Sequence, residues 1–343
     1  MTREIGSDFH LPLGLVVSGK KTVWSTGQTL LASGRACLKA IIRQESLAEK
    51  TILIPAYLCD SVLLPLQQEN MKIIFYTVTK KLEIDEKDLL KKIKKENPSA
   101  VLIIHYFGWI QPNIQTICAE IKKQTKQQCI IIEDLVQTYL TEYSPSGDYW
   151  FNSYRKFLPV ADGAFLGGKK IPTPLPCFPA ARILALLLKN SRALKPLYRA
   201  LFTHHEQKAV NGKKVEGMSR FSKYVLARIN ESAVKNIRRA NYEYLAQRLG
   251  AETTAKMFHQ KLPAMVCPLG LPIIAKNRNT RDALQKYLIG QRIYCPVHWK
   301  LPPEIRKKEF PESHAVSEQI LTIPIDQRYT QKDMERIAQC LKK

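Results

Sequence analysis

The sequence predicts an α/β fold: a three-layer, mostly parallel sheet with helices on both faces, followed by a smaller C-terminal α+β domain. Three observations support this. Short apolar runs at Thr51–Pro55, Lys72–Val78, Ala100–His105 and Ile130–Ile132 alternate with helical patterns at βαβ spacing. Strands joined in that way form an open parallel sheet covered by helices. After Gly168 the pattern gives way to prolines and a basic helical stretch, and later to strands mixed with helices. The expected division is a large domain over residues 1–225, with a basic helical insert at about 170–215, and a connector helix with a small domain over 226–343.

Each element has a local reason. Residues 1–30 read as irregular, with a loop at Trp24-Ser25-Thr26-Gly27. Cys37, Leu38, Ile41 and Ile42 recur at helical spacing, and Ser33 is placed to cap that helix. A helix start is expected near Ala56–Ser61. Ile84, Leu89, Leu90 and Ile93 mark a charged helix, and another runs near Ile114–Lys126. Residues 171–179 hold four prolines, and a stretch studded with Arg182, Lys189, Arg192, Lys195 and Arg199 follows. One or two long helices span 218–249, ending near Leu249-Gly250. The remainder reads as strands at Met265–Cys267, Leu271–Ile274, Tyr294–Val297 and Ile320–Ile325, with helices near Thr280–Leu288 and Gln331–Lys342, the last capped by Thr330.

Composition narrows the function. The apolar fraction of 45% is that of an ordinary globular chain. The charge is unusual: 53 Lys and Arg against 30 Asp and Glu give +23, which suits an anionic ligand or an acidic surface. No zinc-finger, RRM or homeodomain pattern accompanies it, so nucleic acid is not the expected partner. The basic segment is read as a covering helix facing water rather than a membrane contact. The eight cysteines are scattered without C-x-x-C pairs or metal spacing, which fits a reducing cytoplasm and a cytoplasmic location.

The candidate chemistry lies between Ile130 and Leu166. The apolar strand ends in Glu133-Asp134, with Gln137 just beyond and Ser153-Tyr154-Arg155-Lys156 farther on. An acid at the end of a buried parallel strand sits where open α/β sheets place ligands. A lysine beside it could form a Schiff base with a cofactor aldehyde. Ser33-Gly34-Arg35, at a helix start, could hold a phosphate.

In order along the chain, these landmarks resemble the DegT/StrS sugar aminotransferases, a family of fold-type I pyridoxal-phosphate enzymes. They are Ser33-Gly34-Arg35-Ala36, Ile54-Pro55-Ala56-Tyr57, His105-Tyr106-Phe107-Gly108, Glu133-Asp134-Leu135-Val136-Gln137 and Ser153–Lys156. Arg238–Tyr242, Val297-His298-Trp299 and Ile320–Ile325 follow. The resemblance implies pyridoxal 5′-phosphate as cofactor, with Lys156 bonded to its aldehyde carbon and moving the substrate proton. It implies Asp134 at the ring nitrogen, Gln137 at the 3-hydroxyl, and Ser33, Gly34, Arg35 and Ser153 at the phosphate. The ring-stacking aromatic of the family aligns nearest Cys59, and Tyr57 is the other candidate. Serine and lysine stand three residues apart where the family commonly has five. The family's partner-chain Asn motif is met loosely by Gly217-Met218-Ser219-Arg220-Phe221.

The implied activity is amino transfer, from glutamate to a keto sugar, nucleotide-linked or related, in a homodimer. Two alternatives stand beside it. One is a sugar dehydratase of the same fold, a branch that commonly replaces the lysine with histidine. The other is a non-catalytic protein using the basic segment on an acidic partner or membrane.

Overall fold

The computed structural model describes residues 3–6, 9, 29–189, 194–212, 214–249 and 255–342. The loop expected at Trp24–Gly27, the helix end at Gly250 and the basic residue Arg192 lie outside the described residues. The chain runs β1 (Ile5–Gly6), β2 (Thr29–Leu31), α1 (Gly34–Gln44), β3 (Thr51–Pro55), α2 (Leu63–Gln68), β4 (Lys72–Tyr76), α3 (Glu86–Glu96), β5 (Ala100–Ile104), α4 (Ile114–Gln124), β6 (Ile130–Asp134), β7 (Tyr149–Phe151) and β8 (Ala164–Gly168). Then come α5 (Ala180–Leu188), α6 (Lys195–Asn211), α7 (Arg220–Leu226), α8 (Glu231–Arg248), β9 (Ala255–Met257), β10 (Leu271–Ala275), α9 (Arg278–Gly290), β11 (Ile293–Tyr294), α10 (Pro311–Gln319), β12 (Ile320–Ile323) and α11 (Gln331–Leu341).

Seven strands form the main sheet in the order β2-β8-β7-β6-β5-β3-β4. Pairings from β4 through β7 are parallel, and β8 lies antiparallel to both of its neighbours. This is the mostly parallel α/β sheet the alternating pattern implies. Its central strands are buried along their length, as continuous apolar runs covered on both faces must be. Ser33 caps α1 by accepting from the Ala36 N–H at 3.2 Å, and Thr330 and Asp333 close a capping box on α11.

A second sheet, β12-β10-β9, packs with α8, α9 and α11 around its own apolar core. Several elements here differ from the sequence reading. Residues 265–267 form no strand: 264–265 make a turn closed by Val266 N–H donating to Pro263 C=O, and the Cys267 N–H donates to Thr141 Oγ1 instead of to a neighbouring strand. The helix α10 begins on Pro311, and its apolar periodicity is too weak to mark it. In the segment expected to begin a helix at 56–61, the chain bends at 56–57, and a 3-10 turn over Asp60–Val62 leads into α2 at Leu63. The N-terminal strand β1 pairs in parallel with β11, and Ile5 is buried in the second core.

A third apolar cluster forms around Tyr154, Phe157, Leu158, Met218 and α7. Arg238 on α8 lies beneath it, almost fully buried. Its guanidinium donates to Gln327 Oε1 at 3.0 Å and Leu269 C=O at 2.9 Å, and its plane lies 4.6 Å from the Phe157 ring centroid. Gln327 in turn donates to Phe157 C=O at 2.6 Å. Removing the guanidinium leaves several buried acceptors unpaired. Arg238→Ala is therefore expected to lower the unfolding free energy by about 3 kcal/mol in urea denaturation, whereas a loss below about 1 kcal/mol would contradict this role.

Candidate active site

At the carboxyl end of the main sheet the chain encloses a cavity of about 340 Å³. Of the nine residues singled out from sequence, Ser33, Gly34, Arg35, Cys59, Asp134, Gln137, Ser153 and Lys156 all line it. Tyr57 does not. Its ring is buried behind the wall, 5.6 Å from both the Tyr106 and the Trp299 ring centroids, and its hydroxyl donates to the His298 carbonyl.

The strand β6 delivers two neighbouring carboxylates to opposite sides. Glu133 faces away from the cavity and is fully engaged. It accepts from His105 Nε2 at 2.8 Å, Tyr143 Oη at 2.7 Å, Ser146 N–H at 2.6 Å and Gly147 N–H at 2.5 Å. Burial works to raise its pKa, but these donors hold it below the ordinary value. His105 Nδ1 accepts from the Gln111 N–H, so Nε2 carries the proton and the imidazole supports Glu133.

Asp134 is the contrasting case. It is buried, and one carboxylate oxygen accepts from the Val136 N–H at 2.8 Å. Burial pushes its pKa up to about 7, with the Val136 amide and the Lys156 charge opposing. A buried carboxylate so thinly supported is suited to a cationic donor from a ligand.

Lys156 ends a short 3-10 turn over Tyr154–Lys156 that follows β7. Tyr154 anchors this turn, packing edge-on against Tyr139 with centroids 4.9 Å apart, and its N–H donates to Gly163 C=O. Gly163 has φ +121°, and a Cβ there would meet the Met218 side chain, so this tight return requires glycine. The lysine side chain is thereby presented on the cavity wall, and its charge bears on both Asp134 and His298.

The α1 N-terminus closes another side. With Ser33 Oγ taken by Ala36, the Gly34 amide has no acceptor among the described residues and meets the cavity at the positive end of an 11-residue helix. A Cβ on Gly34 would stand 3.3 Å from Phe151 and Val136, so glycine eases the close start of the helix beside β7. Gln137 uses its amide oxygen to accept from the Phe107 N–H at 2.7 Å, which leaves the NH2 end as its donor.

Sequence reasoning missed three site residues. Phe151 and Trp299 supply the aromatic surface of the cavity; the V-H-W landmark held the signal for Trp299. Arg182, expected to face water, is instead 4% exposed and lines the cavity from α5, its guanidinium 4.2 Å from the Phe202 centroid. Beside Trp299, burial and then the Lys156 charge push His298 down to a pKa of about 3, so this imidazole is neutral. Its Nδ1 lies 2.9 Å from Thr322 Oγ1.

A second cavity of about 470 Å³ shares Ser33, Arg35, Pro65 and Arg155 with the first and extends outward past Lys39, Phe178 and Lys214. Ser219, the third residue of the loosely matched Asn motif, is buried and donates to Asp162 Oδ1 at 2.5 Å within its own chain.

The donor set fits pyridoxal phosphate: helix-end amides for a phosphate, an underused buried carboxylate for a ring N–H, an amide donor for a hydroxyl, and an amine for an aldehyde. The fold agrees. It is shared with Spr1654 of Streptococcus pneumoniae, assigned as a sugar aminotransferase and solved in its PMP form (TM-score 0.72, 13% identity, 96% of this chain and 91% of that one). It is shared likewise with the sugar aminotransferase CalS13 of Micromonospora echinospora (0.66, 15%, 92% and 84%) and the aminotransferase TlmJ of Streptoalloteichus hindustanus (0.68, 13%, 93% and 86%). No curated protein matches by sequence. Residues 221–342 match the DegT/DnrJ/EryC1/StrS aminotransferase family. The C-terminal third of the chain thus resembles that family, and the whole chain shares its fold with solved sugar aminotransferases.

The Asp134 environment sets a pH dependence. With its pKa raised from 3.8 to about 7, the folded cofactor-free chain binds a proton more tightly than the unfolded chain does. The resulting destabilisation is absent below about pH 4, grows as pH rises towards 7, and is complete above it. In cofactor-free protein, Asp134→Asn should therefore raise the melting temperature at pH 8 and leave it unchanged near pH 4. A variant no more stable than the parent at pH 8 would contradict this account of the carboxyl.

Proposed function

We propose that this protein is a pyridoxal-phosphate aminotransferase that moves an amino group from glutamate to the keto group of a nucleotide-linked sugar, with Lys156 as the catalytic residue. The observation that carries the reading is the pairing of Lys156 with the buried, singly hydrogen-bonded Asp134 across one cavity, at whose edge α1 begins. Pyridoxal phosphate, when bound, supplies the electron sink that makes the substrate C–H bond acidic. The residues of the chain do the rest. The Gly34 amide, Ser33, Arg35 and Ser153 hold the phosphate. Asp134, as carboxylate, keeps the ring nitrogen protonated, and that pairing offsets the cost of its burial. Gln137 donates to the 3-hydroxyl. Lys156 takes the proton from the substrate carbon and returns it one position away. Its neutral neighbour His298 adds no competing positive charge. Phe151 and Trp299 restrict water around the reacting carbon.

The outer cavity is the proposed acceptor chamber. Arg35, Arg155 and Lys214 give it the positive charge that a sugar linked to a nucleoside diphosphate would meet. Lys156 favours transamination over dehydration. A homodimer is proposed on the family resemblance, with the phosphate held by the chain's own residues, because Ser219 is committed to Asp162.

The test is amino transfer from glutamate to a panel of nucleotide-linked keto sugars, with 2-oxoglutarate release as readout. Turnover should appear with at least one acceptor and fall at least about a thousandfold in Lys156→Ala. Full activity in that variant would refute the assignment of Lys156. Turnover confined to free keto sugars would refute the nucleotide-linked acceptor.

A further inference from the structure

Residues 169–214 carry ten Lys and Arg against one acid, Glu206, a net +9 within a chain of net +23. The structure adds what the sequence did not show. Ala180, Leu184 and Leu187 share one face of α5, three and four residues apart, and are exposed. Leu194 and Leu197 are exposed at the start of α6, which packs against α5. Leu175 and Phe178, just before α5, are 87% and 80% exposed. Lys169, Lys170, Arg199 and Lys214, from the same segment, are exposed as well. Scattered exposed leucines are ordinary, but a run of large apolar side chains on one basic hairpin marks a contact surface.

We infer that this α5–α6 face, with Leu175 and Phe178, docks the protein on the surface of an anionic lipid bilayer. The residue types select that occupant. Interfacial elements pair Leu and Phe with Lys and Arg, so that side chains enter the acyl boundary while cations meet the headgroups. Protein interfaces are instead depleted in lysine and enriched in aromatic residues and methionine. A second copy across a two-fold axis through this face would set the exposed Lys169, Lys170, Arg199 and Lys214 against their own copies, which electrostatics opposes. Among the described residues no helix is long and apolar enough to cross a membrane, so the contact is peripheral. Phe178 belongs both to this surface and to the lining of the outer cavity, so docking brings the mouth of that cavity to the lipid. The inference does not depend on the identity of the amino acceptor.

Full-length holoenzyme is mixed with vesicles of phosphatidylcholine alone, or of phosphatidylcholine with phosphatidylglycerol, and bound protein is measured by co-sedimentation. Binding to the anionic vesicles is expected, with little on neutral ones, and it should weaken as salt rises. The double variant Leu184→Asp/Leu187→Asp should lose at least about tenfold in partitioning, since two apolar anchors are replaced by charges. Both positions are exposed, and circular dichroism with bound-cofactor absorbance checks that the variant is folded. Arg199→Glu, which leaves every leucine in place, should also weaken binding. No binding to anionic vesicles overturns the inference, as does undiminished binding by the double variant. A concentration-dependent dimer that the double variant abolishes, without vesicle binding, overturns it in favour of a second copy.

Discussion

A carboxylate buried with too few partners sets the logic of this protein. Glu133 and Asp134 are neighbours on one strand and both are inaccessible to solvent, yet the chain treats them oppositely. Glu133 receives four donors and is held charged. Asp134 receives one, and its pKa climbs to about 7. Strand alternation explains why they face opposite sides. The difference in support explains why one is part of the scaffold and the other is a site. A group in this state destabilises the empty fold above neutral pH and favours any ligand that presents a fixed N–H cation to it.

The remaining architecture brings complementary groups to that carboxylate from distant parts of the sequence. The parallel sheet gathers the ends of β3, β5 and β6 at one edge, and the start of α1 joins them there. The Lys156 turn is held from below by the third apolar cluster and by Arg238, which links Phe157 through Gln327 to the second core. Lys156 is therefore positioned by buried contacts although its own side chain is accessible. The shortened interval from Ser153 to Lys156 is taken up by a single 3-10 turn, and both residues still face the cavity.

Much of this was legible in the sequence because the signals were local. Apolar runs located the parallel strands, Ser33 marked the start of α1, and the ordered motifs brought eight of nine candidate residues to one cavity. What escaped depended on distant contacts. Tyr57 and Cys59 are two residues apart, and only packing against Tyr106 and Trp299 decides that the tyrosine turns away. Arg182 reads as one more cation in a basic helix until the cavity buries it. The strand β1 is two residues long and pairs with a partner almost three hundred residues away, which no periodicity reveals.

The central claim is that Lys156 and Asp134 grip the two poles of one cofactor. Reducing the holoenzyme with borohydride fixes the cofactor to its lysine, and peptide mass mapping then locates it. The account predicts a pyridoxyl group on the peptide containing Lys156. Attachment at another lysine, or none retained after reduction, would contradict it.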